Sequence, residues 1–465
     1  MSNGAPVSDA FVFFGATGDL AYKKVFPSLQ SMVQHGRLNV PVIGVAKAGW
    51  GLPQFIERIR KSLEDHASGG VDQAAFAKLC SLTNYIDGDY SDAKTFESLK
   101  KALGSAQRPL HYLAIPPSLF STVAEHLAAS GCNTNARIVV EKPFGRDETS
   151  ARELSNTLHR FFPETSIFRI DHYLGKEPVQ NLIYFRFANS ILEPIWNRNY
   201  IASVQITMAE TFGVEGRGKL YEEVGAIRDV MQNHMLQVLA CIAAEAPSNS
   251  SGEAIRDERG KLLQMVRPLK PEDVVRGQYI GYRQEKDVSP TSVVETYAAV
   301  RMQVDSWRWA GVPFCIRVGK KMPIAVVEVL VRFKHPPLNV FNEAKIGAAN
   351  HIRFRLSPDE VIAMGARVKE SGTVMAGRDV ELVAHYNPAG ELEPYERLLS
   401  DAAAGETTYF ARQDGVEAAW RILDPILNDS VPIQFYEPGT WGPKEADPLA
   451  APQMCWHDPI EEPIG

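Results

Sequence analysis

Residues 11–14, Phe-Val-Phe-Phe, run straight into Gly15-Ala-Thr-Gly18, and apolar residues then return at helical spacing through Leu20, Val25, Leu29, Met32 and Val33. A strand with no polar face must be buried on both sides. Such a strand, leading through a glycine turn into a helix, opens a parallel α/β unit. The turn constrains chemistry as well as fold. Glycine lets the backbone approach a pyrophosphate closely, and the free N–H groups at a helix start point at the anion. The run Gly15, Ala16, Thr17, Gly18, Asp19, Leu20, Ala21 is a shortened G-x-G-x-x-G, with alanine where the third glycine would fall. An ordinary strand-turn-helix glycine loop is the alternative reading.

The alternation continues for another 160 residues. Apolar runs at 40–46, 110–115 and 137–141 read as strands, and periodic segments at 53–66, 72–82 and 92–104 read as helices. This pattern predicts a doubly wound α/β domain. Past residue 178 the texture changes to β-rich segments at 201–209, 293–305, 312–318, 325–333, 350–356 and 380–385, with one long helix at 224–244. They predict an antiparallel or mixed sheet, half covered by helices. Residues 247–260 read as a polar loop, and the Pro- and Gly-rich tail from Tyr436 as a surface wrap. A chain of 465 residues exceeds one core, so it divides into 1–178 and 179–465.

Charge narrows the class. Lys plus Arg total 49 against 56 for Asp plus Glu, a formal charge of −7, so the footprint that nucleic acid needs is missing. Five scattered cysteines form no metal or disulfide pattern, which points to a reducing compartment. The first residues lack a basic and apolar leader, and the richest helical stretch, 235–244, is half of the roughly 20 residues a membrane span needs. A cytoplasmic protein, bound to neither membrane nor metal, is expected.

Four clusters carry chemistry. The second strand ends in Gly44-Val-Ala-Lys47, a lysine where NAD-selective folds place an acid for the ribose 2′-hydroxyl, and no acid near that strand end is visible. Lys47 either faces a 2′-phosphate or is a solvated surface charge. Glu141-Lys142-Pro-Phe-Gly145 follows the strand 137–141, at the end where α/β sheets bind ligands. Arg169-Ile-Asp171-His172-Tyr173-Leu-Gly-Lys176-Glu177 gathers an acid, an imidazole, a phenol and an ammonium within six residues. Three of these can donate hydrogen bonds to one phosphate, unless the segment is simply a polar loop. Arg228-Asp229-Val-Met-Gln-Asn-His234 lies on the long helix, where the histidine is either a satisfied core residue or a general base.

Taken together, these segments resemble the glucose-6-phosphate dehydrogenase family. Glu215-Gly-Arg-Gly218, Trp309-Ala-Gly-Val-Pro-Phe314, Gly319-Lys320 and Gly439-Thr-Trp-Gly-Pro443 extend the match in family order over nearly the whole chain. The resemblance implies a Rossmann-like domain, then an α+β domain whose large mixed, mainly antiparallel sheet also forms the interface of a homodimer or homotetramer. It implies oxidation of D-glucose 6-phosphate to 6-phospho-D-glucono-1,5-lactone with hydride passing to NADP, the first step of the oxidative pentose phosphate pathway, with NAD as a weaker alternative. By motif position His234 is the base and Asp171 its partner. His172, Tyr173 and Lys176 match phosphate-binding positions, and Lys142, Glu210, Asp229 and Lys320 match sugar-contacting ones. Gly15, Ala16, Thr17, Gly18, Asp19, Leu20, Lys24 and Lys142 match cofactor positions, and Lys47 replaces the usual 2′-phosphate arginine.

Tyr22 and Phe120 also depart from the family pattern, where lysine and tyrosine are usual. Two other functions share parts of this signature. A sugar oxidoreductase acting on an unphosphorylated substrate would keep the glycine loop and Glu141-Lys142-Pro143 without requiring the His172, Tyr173 and Lys176 trio. A non-catalytic NADP sensor would be expected to lose His234 and Asp171, and this chain has both.

Overall fold

The apolar run that opens the chain forms β1 (Ala10–Phe14), five consecutive buried residues. The computed structural model describes residues 7–341, 347–386, 392–427, 431–450 and 455–462. They form two compact units. The first is Met1–Lys176 with Pro247–Asp257 and Glu391–Glu417, and the second is Glu177–Ala246 with Glu258–Gly390 and Ala418–Gly465. The simple division 1–178 and 179–465 therefore omits two returns to the first unit.

In the first unit β1 is joined by β2 (Val42–Ala46), β3 (Thr83–Asp87), β4 (Pro109–Leu113), β5 (Arg137–Glu141) and β6 (Ile167–Ile170). All pair in parallel, in the order β3-β2-β1-β4-β5-β6. This is the doubly wound order, and the direction of winding reverses between β1 and β4. The expected helices form over Leu52–His66, Gln73–Leu82 and Ala93–Leu103. Strand β3 escapes a search for apolar runs because Thr-Asn-Tyr-Ile-Asp sits at the sheet edge, only partly buried. The later return makes core. Leu398, Leu399, Ala402 and Phe410 pack with Phe11, Phe13, Tyr112 and Phe168.

The second unit is built on a nine-stranded sheet. Its strands are β7 (Ile201–Ala209), β8 (Val274–Tyr279), β9 (Tyr297–Gln303), β10 (Pro313–Gly319), β11 (Val326–Phe333), β12 (His351–Ser357), β13 (Glu360–Lys369), β14 (Gly377–Tyr386) and β15 (Ile433–Tyr436). The order is β14-β13-β12-β11-β7-β10-β9-β8-β15, with β7–β10 and β8–β15 parallel and the other pairs antiparallel. The tail from Tyr436 is less loose than its composition suggests. Tyr436 ends β15 and is buried, and the His457 amide donates to Gln205 on β7 at 2.8 Å.

Two helical expectations change. The long helix breaks at Gly225 (φ +63), and a π-helical stretch, Ile227–Met235, leads into the α-helix Leu236–Ala243. The polar segment 247–260 becomes helical from Gly252, as part of Gly252–Met265. Its Glu253 and Asp257 take Arg412 at 3.2 and 2.5 Å, charges that look like loop residues until the partner is seen.

Candidate active site

In the first unit, β1 ends at Gly15, whose φ of +77° suits only glycine. A Cβ there would lie 2.1 Å from the Ala114 carbonyl oxygen. The Gly15 amide donates to the Val45 carbonyl at 3.1 Å and to the Tyr90 hydroxyl at 2.8 Å, and the Gly18 amide closes the turn onto the Gly15 carbonyl at 2.9 Å. The helical segment Ala21–Val25 that follows has no side-chain cap at Leu20, and Gly18 and Asp19 before it are exposed. Its first N–H groups are thus open toward solvent, as an anion site requires. Thr17 and Leu20 are half-buried beside them, Ala16 is buried beneath, and Lys24 is exposed one turn on. These residues fit a dinucleotide pyrophosphate.

Lys47 leaves β2 exposed, and it is paired: its Nζ lies 2.8 Å from Asp89. Asp87, at the end of β3, accepts the amides of Ala48 and Gly49 at 2.9 and 2.8 Å. This corrects the expectation that no acid stands near the end of β2. The acids come from the neighbouring strand, some 40 residues along.

Strands β5 and β6 place the next cluster. Glu141 pairs with Ile170, so Lys142 and Asp171 leave the sheet side by side at its carboxyl end. The Lys142–Pro143 peptide is cis. Burial pushes the Glu141 carboxyl up to about 7, against the hydrogen bonds of Tyr112 and Tyr395 and the charge of Lys142 that favour its ionised form. Asp171 is buried and accepts the Tyr173 amide at 3.0 Å, fixing a turn that Leu174 and Lys176 extend with backbone bonds of 3.0 and 3.1 Å. That turn gathers the three expected phosphate ligands. The Lys176 ammonium sits 4.0 Å over the Tyr173 ring, the His172 and Tyr173 rings are 5.3 Å apart, and His172 stacks on Tyr395 at 6.4 Å.

In the second unit, β7 and β10 run parallel with Ala209 opposite Gly319. The next residues, Glu210 and Lys320, therefore emerge together, and their side chains pair at 2.5 Å. Lys320 is buried, with its ammonium 4.9 Å from the Phe212 ring and 5.2 Å from Tyr221. The Tyr436 hydroxyl donates to the Lys320 carbonyl at 2.7 Å. Burial, then the field of Asp229 among others including Glu210, holds the Tyr221 hydroxyl well above its ordinary range. Tyr221 thus lies beside the Lys320 ammonium and in the field of Asp229 and Glu210. His234 is buried on the π-helical stretch, where its amide donates to Asn233 Oδ1 at 2.7 Å and Asn233 Nδ2 donates to the Asp229 carbonyl at 3.0 Å.

The family model described as glucose-6-phosphate dehydrogenase, NAD binding domain, matches residues 12–181, and the model described as its C-terminal domain matches 183–457. The chain belongs to the glucose-6-phosphate dehydrogenase family. Glucose-6-phosphate 1-dehydrogenase 1 of Mycobacterium tuberculosis is 41% identical over 463 residues, covering 99% of this chain and 98% of the relative. The crystal structure of the Mycobacterium avium enzyme superposes with a TM-score of 0.91 at 39% identity, covering 98% of this chain and 100% of that one. A glucose-6-phosphate dehydrogenase solved in complex with its substrate glucose-6-phosphate gives 0.89 at 33% identity, covering 96% and 97%. The chain is a dehydrogenase, an oxidoreductase of carbohydrate metabolism.

Several residues that set this family site were not legible as motif letters. Glu295, on the loop before β9, accepts the Ile227 amide at 3.1 Å, while its backbone carbonyl takes the Ala226 amide at 2.9 Å. It caps the start of the helix that carries Asp229 and His234, and it pairs with buried Arg276 at 2.9 Å. At Gly225 a Cβ would come within 2.5 Å of Glu295 Oε1, so glycine is required there. Glu295→Ala removes this buried carboxylate partner of Arg276 and the cap on the Ile227 amide, and is expected to cost about 3–5 kcal/mol. A melting temperature within a degree or two of wild type, by calorimetry, would show the pair to be dispensable.

Proposed function

We propose that this dehydrogenase oxidises D-glucose 6-phosphate at C1 to 6-phospho-D-glucono-1,5-lactone with NADP as the hydride acceptor, the first step of the oxidative pentose phosphate pathway. The observation that carries this reading is the turn after β6. It holds an imidazole, a phenol and an ammonium together on a protein whose net charge is −7, and such a cluster suits a phosphate dianion. The glycine turn, with Gly15, Thr17 and Gly18, would hold NADP, which when bound would supply a nicotinamide able to accept the hydride.

The chain's own residues do the rest. His172, Tyr173 and Lys176 hold the phosphate. Lys142, Glu210, Asp229 and Lys320 hold the sugar hydroxyls, with the Glu210–Lys320 pair offering an acceptor and a donor from one rigid position. His234 takes the C1 hydroxyl proton as hydride leaves, and Asp171 orients and charge-stabilises the imidazolium. Motif position supports the Asp171 partnership, and the burial of both side chains favours one fixed orientation for each. A substrate panel tests the reading: turnover with glucose 6-phosphate is expected to exceed that with glucose by orders of magnitude. Equal rates would favour an oxidoreductase of unphosphorylated sugars instead.

The same reading makes the protein a cytoplasmic homodimer or homotetramer. All five cysteines are free thiols, and among the described residues no helix is long and apolar enough to cross a membrane. The outer strands of the large sheet expose Met364, Val368, Leu382 and Tyr386 on one face, a surface suited to self-association. Light scattering is expected to give two or four times the 51.5 kDa chain mass. A monomer would remove that assignment.

A further inference from the structure

The end of β2 holds one cation and two acids. Asp89 binds the Lys47 ammonium through Oδ2 at 2.8 Å and uses Oδ1 for the Ser91 amide and hydroxyl at 2.9 and 2.7 Å, so its carboxylate is held in place from both sides. Asp87 Oδ1 takes the amides of Ala48 and Gly49 and also the Tyr85 hydroxyl at 3.2 Å. Two adjacent backbone N–H groups after a strand are a natural anion nest, and here a carboxylate already fills them. Across Lys47, Asp87 and Asp89 the formal charge is negative. Arg58, another cation of this unit, lies 3.9 Å over the Tyr22 ring with Nη2 3.4 Å from the Thr17 carbonyl, turned to the glycine turn.

We infer that Asp89 sets cofactor specificity, by competing with a ribose 2′-phosphate for Lys47 and so admitting dinucleotides that carry a free 2′-hydroxyl. The inference rests on the dinucleotide site proposed above and deepens it. A 2′-phosphate brings close to two negative charges and must displace Asp89 from Lys47 or bear its repulsion. A 2′-hydroxyl bears no such cost and can donate to either carboxylate. Arginine in place of Lys47 could hold Asp89 and a phosphate at once through separate N–H groups, whereas the single ammonium is a point charge. Asp89 thus acts on selectivity without any part in hydride transfer.

The test reads binding, not turnover. Dissociation constants for NADP and for NAD are measured by titration calorimetry on the full-length wild type, Asp89→Asn, Asp89→Ala and Lys47→Ala, at one fixed ionic strength. Asp89→Asn is expected to tighten NADP roughly five- to thirtyfold while NAD stays within about twofold or weakens. Asp89→Ala should do the same, which guards against a disturbed Ser91 turn in one variant. Lys47→Ala is expected to weaken NADP more than NAD. An NADP-to-NAD ratio unchanged in both Asp89 variants overturns the inference while leaving the dinucleotide site intact. Failure of the wild type to bind either nucleotide overturns the site itself, and the inference with it.

Discussion

His234→Asn is expected to lower kcat by at least about 10²–10⁴-fold while leaving the dissociation constant for glucose 6-phosphate within a few-fold of wild type. Asparagine keeps a polar side chain of similar reach but cannot accept a proton near neutral pH. The loss should therefore fall on the chemical step and not on binding. His234 is 2% exposed, and its helix is capped by Glu295, so the imidazole has little freedom to be replaced by a neighbour or by bulk water. Single-turnover kinetics with saturating cofactor separate the two quantities. Asp171→Asn is expected to give a smaller loss of the same kind, because it removes orientation and charge stabilisation while the base remains. Near-normal turnover in His234→Asn would return the residue to the role of a satisfied core histidine.

Lys176→Ala is expected to raise KM for glucose 6-phosphate by roughly 10- to 150-fold, the range for one charge-assisted hydrogen bond, with the KM of the cofactor nearly unchanged. The lysine belongs to the turn that Asp171 ties through the Tyr173 amide, and its ammonium lies over the Tyr173 ring. Truncation should leave that turn standing, since its bonds are made by the backbone and Asp171. Steady-state kinetics with each substrate varied in turn make the measurement. An equal rise in both KM values would place Lys176 at the nucleotide and dissolve the proposed phosphate cluster.

The parts of this molecule that read directly from its letters are those encoded over short distances. A wholly apolar strand, a glycine turn and a periodic helix identify a doubly wound domain because each feature spans fewer than 20 residues and answers to one periodicity. The polar clusters at the ends of β5 and β6 are also visible as candidates, since ligands gather at the carboxyl ends of parallel strands. The roles given to His234, Asp171 and the sugar contacts came from resemblance to a family, not from spacing. The break at Gly225 carries no periodic signal, because the helical pattern passes across it undisturbed.

Tertiary structure decided which of those residues meet, and with what charge around them. Glu210 and Lys320 pair across 110 positions only because β7 and β10 are parallel and in register. Tyr395 reaches His172 and Glu141 because residues 391–417 return to the first unit, an excursion no local pattern announces. Asp89 stands against Lys47 because β3 lies beside β2, and that one pairing changes the lysine from a free cation into half of an ion pair. Periodicity reports which face of an element is buried. Register, which sets the partner of each strand end, depends on contacts the chain makes only when folded.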